Sequence, residues 1–380
     1  MNILEKKYEK QTKSSELLFS RSVVRRDFLT KSLILGAGVV GLSLLGEKLP
    51  ASAAPLSAQF PLGMTDQLHT CGRATNGQLF HTIRFSNSWQ SFFGNVNAQE
   101  SNGNILRFTD VDCSGIGGNL HVTAIATDGI IWHTIRFSNS WQSFFGSVNA
   151  QESNGGILRF SEVGCAGTTN NNLHVTAVDQ NGTIWHTIRF SNSWQSSFGN
   201  VNSQESNGSS LRFGSVDCAT IGGNLHVTAV DQNGIIWHTI RFSNGTWQSS
   251  FGNVNNQESN GGTLRFSNVG CAAIGGNLHV TAVGQNGIIW HTIRFSNGTW
   301  QAFFGNVNSQ ESNGSSLRFI DVDCANVGDN LYVTAVGQNG IIWHTIRFSN
   351  SWQAFFGNVN SQESNGTGLR FTAIGAGGIV

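Results

Sequence analysis

A carboxylate, a guanidinium and an indole recur together five times in this chain, and a sixth time with phenylalanine in place of the indole. The sets are Glu100, Arg107 and Trp132; Glu152, Arg159 and Trp185; Glu205, Arg212 and Trp237; Glu258, Arg265 and Trp290; Glu311, Arg318 and Trp343; and Glu363, Arg370 and Phe80. Such a set suits a sugar. An aromatic face stacks on the apolar side of a pyranose, and charged groups make short, directional hydrogen bonds to its hydroxyls. Carboxamides of the neighbouring Gln and Asn residues add donors and acceptors. Each member also has a structural use: the Trp packed between layers, the Arg clamped on the loop Glu. No nucleophile–base motif accompanies the sets, and no glycine-rich phosphate loop precedes a helix. A non-catalytic binder that needs no cofactor is therefore expected.

The elements that position these residues form a repeat. His-Thr-Ile-Arg-Phe-Ser-Asn starts at His81, His133, His186, His238, His291 and His344, at intervals of 52 or 53 residues. A period of that size is the signature of a repeat architecture. In the copy from Leu225 to Asn277, Leu225–Val230 reads as a strand, Asp231–Gly234 as a turn, and Ile235–Phe242 as the return strand. Trp247–Val254 is a third strand and Leu264–Cys271 a fourth. Four short antiparallel strands make one propeller blade, and a closed ring of blades hides their edges. The fold expected is an all-β, six-bladed β-propeller, with repeats starting near 68, 120, 173, 225, 278 and 331. Leu369–Phe371 has no blade after it, and no matching strand precedes Leu68. The C-terminal strand should therefore join the first blade and close the ring.

Strand polarity would gather the Gln-Glu-Ser-Asn-Gly loops and the Asn-Gly turns on one face, with the Glu, Arg and Trp sets at its rim. The second Trp of each repeat (Trp89, Trp141, Trp194, Trp247, Trp300 and Trp352) opens the outermost strand beside the other face and reads as packing between blades. A two-residue Asn-Gly turn would set Trp185 opposite Val178, His186 opposite Ala177 and His174 opposite Arg189. The two histidines of a blade would then not meet, so no zinc pair is expected within a hairpin.

Cys113, Cys165, Cys218, Cys271 and Cys324 hold one place in successive repeats, while Cys71 stands elsewhere. Equivalent positions on separate blades are not natural disulfide partners, and the five read as small buried hydrophobes. Every lysine lies before residue 54. From Ala54 onward, 13 Arg stand against 17 Asp and Glu, so 13 − 17 gives −4. No basic patch steers the chain to nucleic acid or to an anionic membrane.

Residues 1–53 read as a Tat-type export signal. Arg25 and Arg26 precede Phe28 and Leu29, a modest apolar run follows, and Ala51-Ser52-Ala53 offers a cleavage site. The run of about 13 residues is short of the roughly 20 that a spanning helix needs. Residues 54–67 form a lead-in, and 68–380 the repeats. Export would pass through the Tat translocase, to the periplasm, the cell surface or beyond.

The Leu-His-Val-Thr-Ala-Val strand, the Asn-Gly turn, Ile-Trp-His and Trp-Gln-x-x-Phe-Gly together resemble the repeats of tectonin-like and bacterial fucolectin-type β-propeller lectins. The resemblance spans Leu68 to Phe371. It implies a six-bladed ring with carbohydrate, as glycan or glycoconjugate, bound between neighbouring blades. Where the fungal fucose lectins of this shape carry Arg in the second strand and Glu in the third, this chain has His226 and His238 and their equivalents. The resemblance thus does not carry over fucose as ligand. A protein-binding or structural surface propeller is the alternative from another class, and a glycan hydrolase a further one.

Overall fold

The computed structural model describes residues 66–379. The export segment and most of the lead-in lie outside the described residues. The rest forms six antiparallel sheets on one plan. Blade 1 comprises residues 67–95 with 371–379. Blades 2 to 6 span 108–147, 160–200, 213–253, 266–306 and 319–358. In blade 3, the inner strand Phe160–Gly167 pairs with Asn172–Asp179, which pairs with Ile184–Phe190. The outer strand is broken into Ser193–Trp194 and Gly199–Asn200. The ring closes as expected: Phe371–Ile379 pairs antiparallel with Gln67–Ala74.

The strands are buried on both faces because each blade is covered by two neighbours. Between blades 3 and 4, Phe213, Val216, Leu225 and Val227 pack with Val178, Ile184 and Val201. Burying one such side chain fully contributes roughly 1.5–3 kcal/mol. Two-sided burial removes the polar–apolar alternation of a half-exposed strand. All six cysteines are free and buried.

The hairpin register differs from the expected one by a residue. Asp179 donates its N–H to Thr183 O at 2.9 Å, and Gly182 donates to Asp179 O at 2.9 Å. The loop is therefore three residues, with Gly182 at φ 75, a conformation glycine adopts without a Cβ penalty. Trp185 stands opposite Ala177, His186 opposite Thr176, and His174 opposite Ile188. A slip of one residue changes every cross-strand neighbour. The two histidines now meet: His174 Nδ1 and His186 Nε2 lie 2.9 Å apart.

The Gln-Glu-Ser-Asn-Gly loops also depart from expectation, because they do not stand open as a rim. Each wraps onto the outer strand of the next blade. Ser206 donates its N–H to Ser249 O at 2.8 Å. The Asn207 side chain accepts from Phe251 N at 2.9 Å and donates to Phe251 O at 3.0 Å. Asn202 accepts from Ile184 N at 2.9 Å and donates to Gly208 O at 2.9 Å. The linker is thus stitched to the blade before it and the blade after it.

Candidate functional site

The six Glu, Arg and Trp sets are shared out between two environments. Glu100, Glu152, Glu205, Glu258, Glu311 and Glu363 are all buried, at 2–5% exposure. Each accepts from a threonine of the next blade: Thr134, Thr187, Thr239, Thr292, Thr345 and Thr82 in that order. The second oxygen of each carboxyl has no hydrogen-bond partner among the described residues. Burial pushes all six up to about 7, against the lowering effect of the threonine bond.

The arginines of the same sets lie outside this seam. Arg107 donates to the carbonyls of Asn104 and Leu106, at 2.9 and 2.7 Å. Arg159, Arg212, Arg265, Arg318 and Arg370 repeat this bond to their own linkers. No Glu of a set is bonded to its Arg among the described residues. Trp132, Trp185, Trp237, Trp290 and Trp343 are half-buried. Trp185 and Trp237 donate Nε1–H to Asp179 and Asp231, at 2.9 and 3.0 Å. The Nε1 atoms of Trp132, Trp290 and Trp343 have no acceptor among the described residues. Phe80 is buried edge-on to Phe371.

A different group converges at the opposite end of every seam. In blade 4, Thr239 and Arg241 alternate with His238 and Phe242 along one strand. Period-two alternation sends the first pair toward blade 3 and the second toward blade 5. Trp247 of blade 4 packs edge-on against His186 of blade 3, at 5.5 Å between ring centres. Arg241 lies close enough to His174 and His186 to oppose their protonation. The notch between blades 3 and 4 therefore holds His174, His186, Arg241 and Trp247, with Phe190 exposed at its lip.

The same Trp-on-His contact recurs at every seam: Trp141 on His81, Trp194 on His133, Trp300 on His238, Trp352 on His291 and Trp89 on His344. The second Trp of each repeat thus packs between blades. At the closing seam Tyr332 replaces the outer histidine, and Arg84 lies over its ring at 5.4 Å. Burial first, then the neighbouring arginine, lowers His121, His174, His226 and His279 to about 4. Burial, then the paired histidine, then the arginine hold the inner partners well below the usual imidazole value. The pairs are neutral near pH 7. Each notch offers a half-buried cation and aromatic surface, with two uncharged imidazoles in five notches and His344 beside Tyr332 in the sixth.

This group escaped sequence reasoning because the wrong turn length moved the histidines apart. The alternation within Trp-His-Thr-Ile-Arg-Phe held the signal. It places Arg241 on the face of Trp237 and Thr239, and His238 on the face of Phe242.

The axis carries a third cluster. Asp112, Asp217 and Asp323, from blades 2, 4 and 6, bring carboxylate oxygens within 4.8 Å of one another. They stand in a central cavity of about 550 Å³. All six of their oxygens accept backbone N–H groups. Asp217, for example, accepts from Cys218 at 2.7 Å and from Cys271 of the next blade at 2.5 Å. Burial raises all three aspartates, Asp112 to about 6. Their hydrogen-bonding capacity is directed at holding blades in pairs.

No protein-family model matches the chain, and no curated protein matches it in sequence. Solved structures do match in shape. AofleA from Arthrobotrys oligospora aligns with a TM-score of 0.52 at 10% identity, over 76% of this chain and 81% of that one. The Aleuria aurantia lectin, a six-bladed β-propeller described with a novel fucose recognition mode, aligns at 0.52 and 14% identity, over 77% and 90%. A lectin from Burkholderia pseudomallei aligns at 0.50 and 16% identity, over 77% and 81%. At these identities the likeness establishes the six-bladed fold.

Proposed function

We propose that this protein is a non-catalytic, multivalent carbohydrate-binding propeller whose ligand seats in the notches between blades. The observation that carries the reading is the pairing, at each seam, of a half-buried Trp with a half-buried Arg across a neutral imidazole. An indole face gives apolar contact to a pyranose, and a guanidinium gives directed donors to its oxygens. The lectins of like shape support it; among them, Aleuria aurantia lectin and SapL1 lectin have been solved with α-methyl fucoside. Weak single sites would combine into avidity on a glycan-bearing surface. Export by the Tat route, suggested by Arg25 and Arg26, would place the ring on that side of the membrane.

A glycan array on the ring at high density tests this reading. Retention is expected, and Trp247→Ala should weaken it by a fraction while a six-blade Trp→Ala variant abolishes it. A catalyst with one active site would instead lose everything to one blade. A second reading rests on Phe92, Phe144, Phe303 and Phe355, each 53–54% exposed on the outer strands. They would suit a protein partner. An array that retains no glycan, with protein capture lost on replacing these four, would favour it.

A further inference from the structure

The six notches are not equivalent. In blades 1, 2, 3 and 6 the turn after Ile-Arg-Phe is Ser-Asn, and Ser follows directly on the outer strand. There the arginine of the strand donates to the carbonyl of its own turn serine: Arg84 to Ser86 at 2.9 Å, and Arg136, Arg189 and Arg347 to Ser138, Ser191 and Ser349. Blades 4 and 5 carry one more residue, Ser-Asn-Gly-Thr. Their turn is closed by Phe242 N–H to Thr246 O at 2.8 Å and by the equivalent bond from Phe295 to Thr299. Gly245 and Gly298 both sit at φ 92, which a residue with a Cβ rarely adopts.

The longer turn is anchored elsewhere. The Asn224 side chain accepts the Ser243 N–H at 2.9 Å, and Asn277 accepts that of Ser296 at 2.9 Å. Arg241 and Arg294 consequently make no side-chain hydrogen bond among the described residues. The carboxyl groups on their seams, Glu205 and Glu258, are bonded to Thr239 and Thr292 instead. Both guanidiniums are half-buried beside neutral imidazoles and a Trp edge. A half-buried guanidinium without an acceptor favours an anionic one, and its planar fork matches a carboxylate or sulfate in two parallel bonds.

We propose that the notches at Arg241 and Arg294 are the strong sites of the ring, and that they take acidic saccharides, through a sugar carboxylate or a sulfate ester. The proposal rests on the carbohydrate-binding reading above and adds the ligand's charge and the number of strong sites. In the other four notches the turn carbonyl competes for the same guanidinium, and binding is weaker.

The test is titration calorimetry of the ring with methyl β-glucuronide, methyl β-glucoside and methyl β-glucoside 6-sulfate. Two strong sites per chain are expected for an acidic ligand, at least about tenfold tighter than for the neutral glucoside. The glucuronide and the sulfate compared show which anion is preferred. Combined Arg241→Gln and Arg294→Gln should remove the strong sites, with an unchanged melting temperature confirming the fold. Replacing Ser140 of blade 2 by Gly-Thr should free Arg136 and raise the strong sites to three. Glucoside binding as tightly as glucuronide, or six equal sites, overturns the inference and leaves the carbohydrate reading standing. Binding of no saccharide, acidic or neutral, overturns both.

Discussion

The axis and the circumference of this ring obey different symmetries. At the seams, the Glu–Thr bond and the Trp–His contact are made six times. At the axis, aspartates alternate with glycines: Asp112, Gly164, Asp217, Gly270, Asp323 and Gly375 occupy equivalent positions in successive inner strands. The reason is room. A Cβ on Gly164 would lie 2.7 Å from Asp217 Cα, one on Gly270 2.7 Å from Asp323 Cα, and one on Gly375 2.5 Å from Asp112 Cα. Neighbouring inner strands approach so closely that a side chain on one demands none on the next. Six blades become three pairs, each joined by a carboxylate that spans two backbone amides. Only the roomier perimeter can keep six copies of one device, and there variation arises from turn length instead.

The largest expected effect is collective and belongs to the perimeter. The six seam glutamates have their pKa raised by burial from 4.5 to about 7. The folded state prefers their proton, so their contribution is complete below 4.5 and is lost as pH rises through about 7. The histidines act oppositely: lowered from 6.5 to about 4, they contribute fully above 6.5 and lose it as pH falls through about 4. Between pH 6.5 and about 8 the seam carboxyls dominate, and the axial aspartates pull the same way. The melting temperature should therefore be higher at pH 6.5 than at about 8. Each added Glu→Gln change, as at Glu205, should flatten the slope, and a pH-independent melting temperature would contradict the assignment.

At the axis, Gly375→Ala should cost roughly 1–3 kcal/mol by overpacking, read as a fall in the denaturant midpoint. Gly214→Ala, with nothing within 4 Å of its added Cβ, should stay within about 0.5 kcal/mol. Equal effects at the two positions would refute the crowding argument. Thr239→Val leaves the Glu205 carboxyl without its donor and should cost about 1–3 kcal/mol. The smallest change is Phe144→Ser, because blades 3 and 4 already carry Ser197 and Ser250 there. Its stability should hold within about 0.5 kcal/mol, and a large loss would mean that the exposed ring packs on something.

The blade count, the strand order and the closure by Phe371–Ile379 were all legible in the sequence, because each follows from counting copies and noting where the phase begins and ends. The seam contacts of the second Trp were legible too. The register was not. Asp-Gln-Asn-Gly is compatible with a loop of two residues or of three, and the difference decides whether His174 faces Ile188 or Arg189. The placement of Glu205 and Arg212 was hidden for another reason. Adjacent strands predict which end of a blade a loop leaves from, but not that it will wrap the next blade and bury its carboxyl on Thr239. The clustering of Arg241, Trp247 and His186 required knowing which blade faces were in contact.

Among the described strands, Phe371–Ile379 follows all the others in the chain, yet it belongs to the blade that opens with Gln67–Ala74. A ribosome moving along the message can finish five wedges in turn, yet the one opened at Gln67 waits, missing its innermost piece, until Phe371–Ile379 has been added. Unlike an open stack, this ring has no partial version that is sealed: without Phe371–Ile379 a gap is left in blade 1, at the place where the circle would have shut.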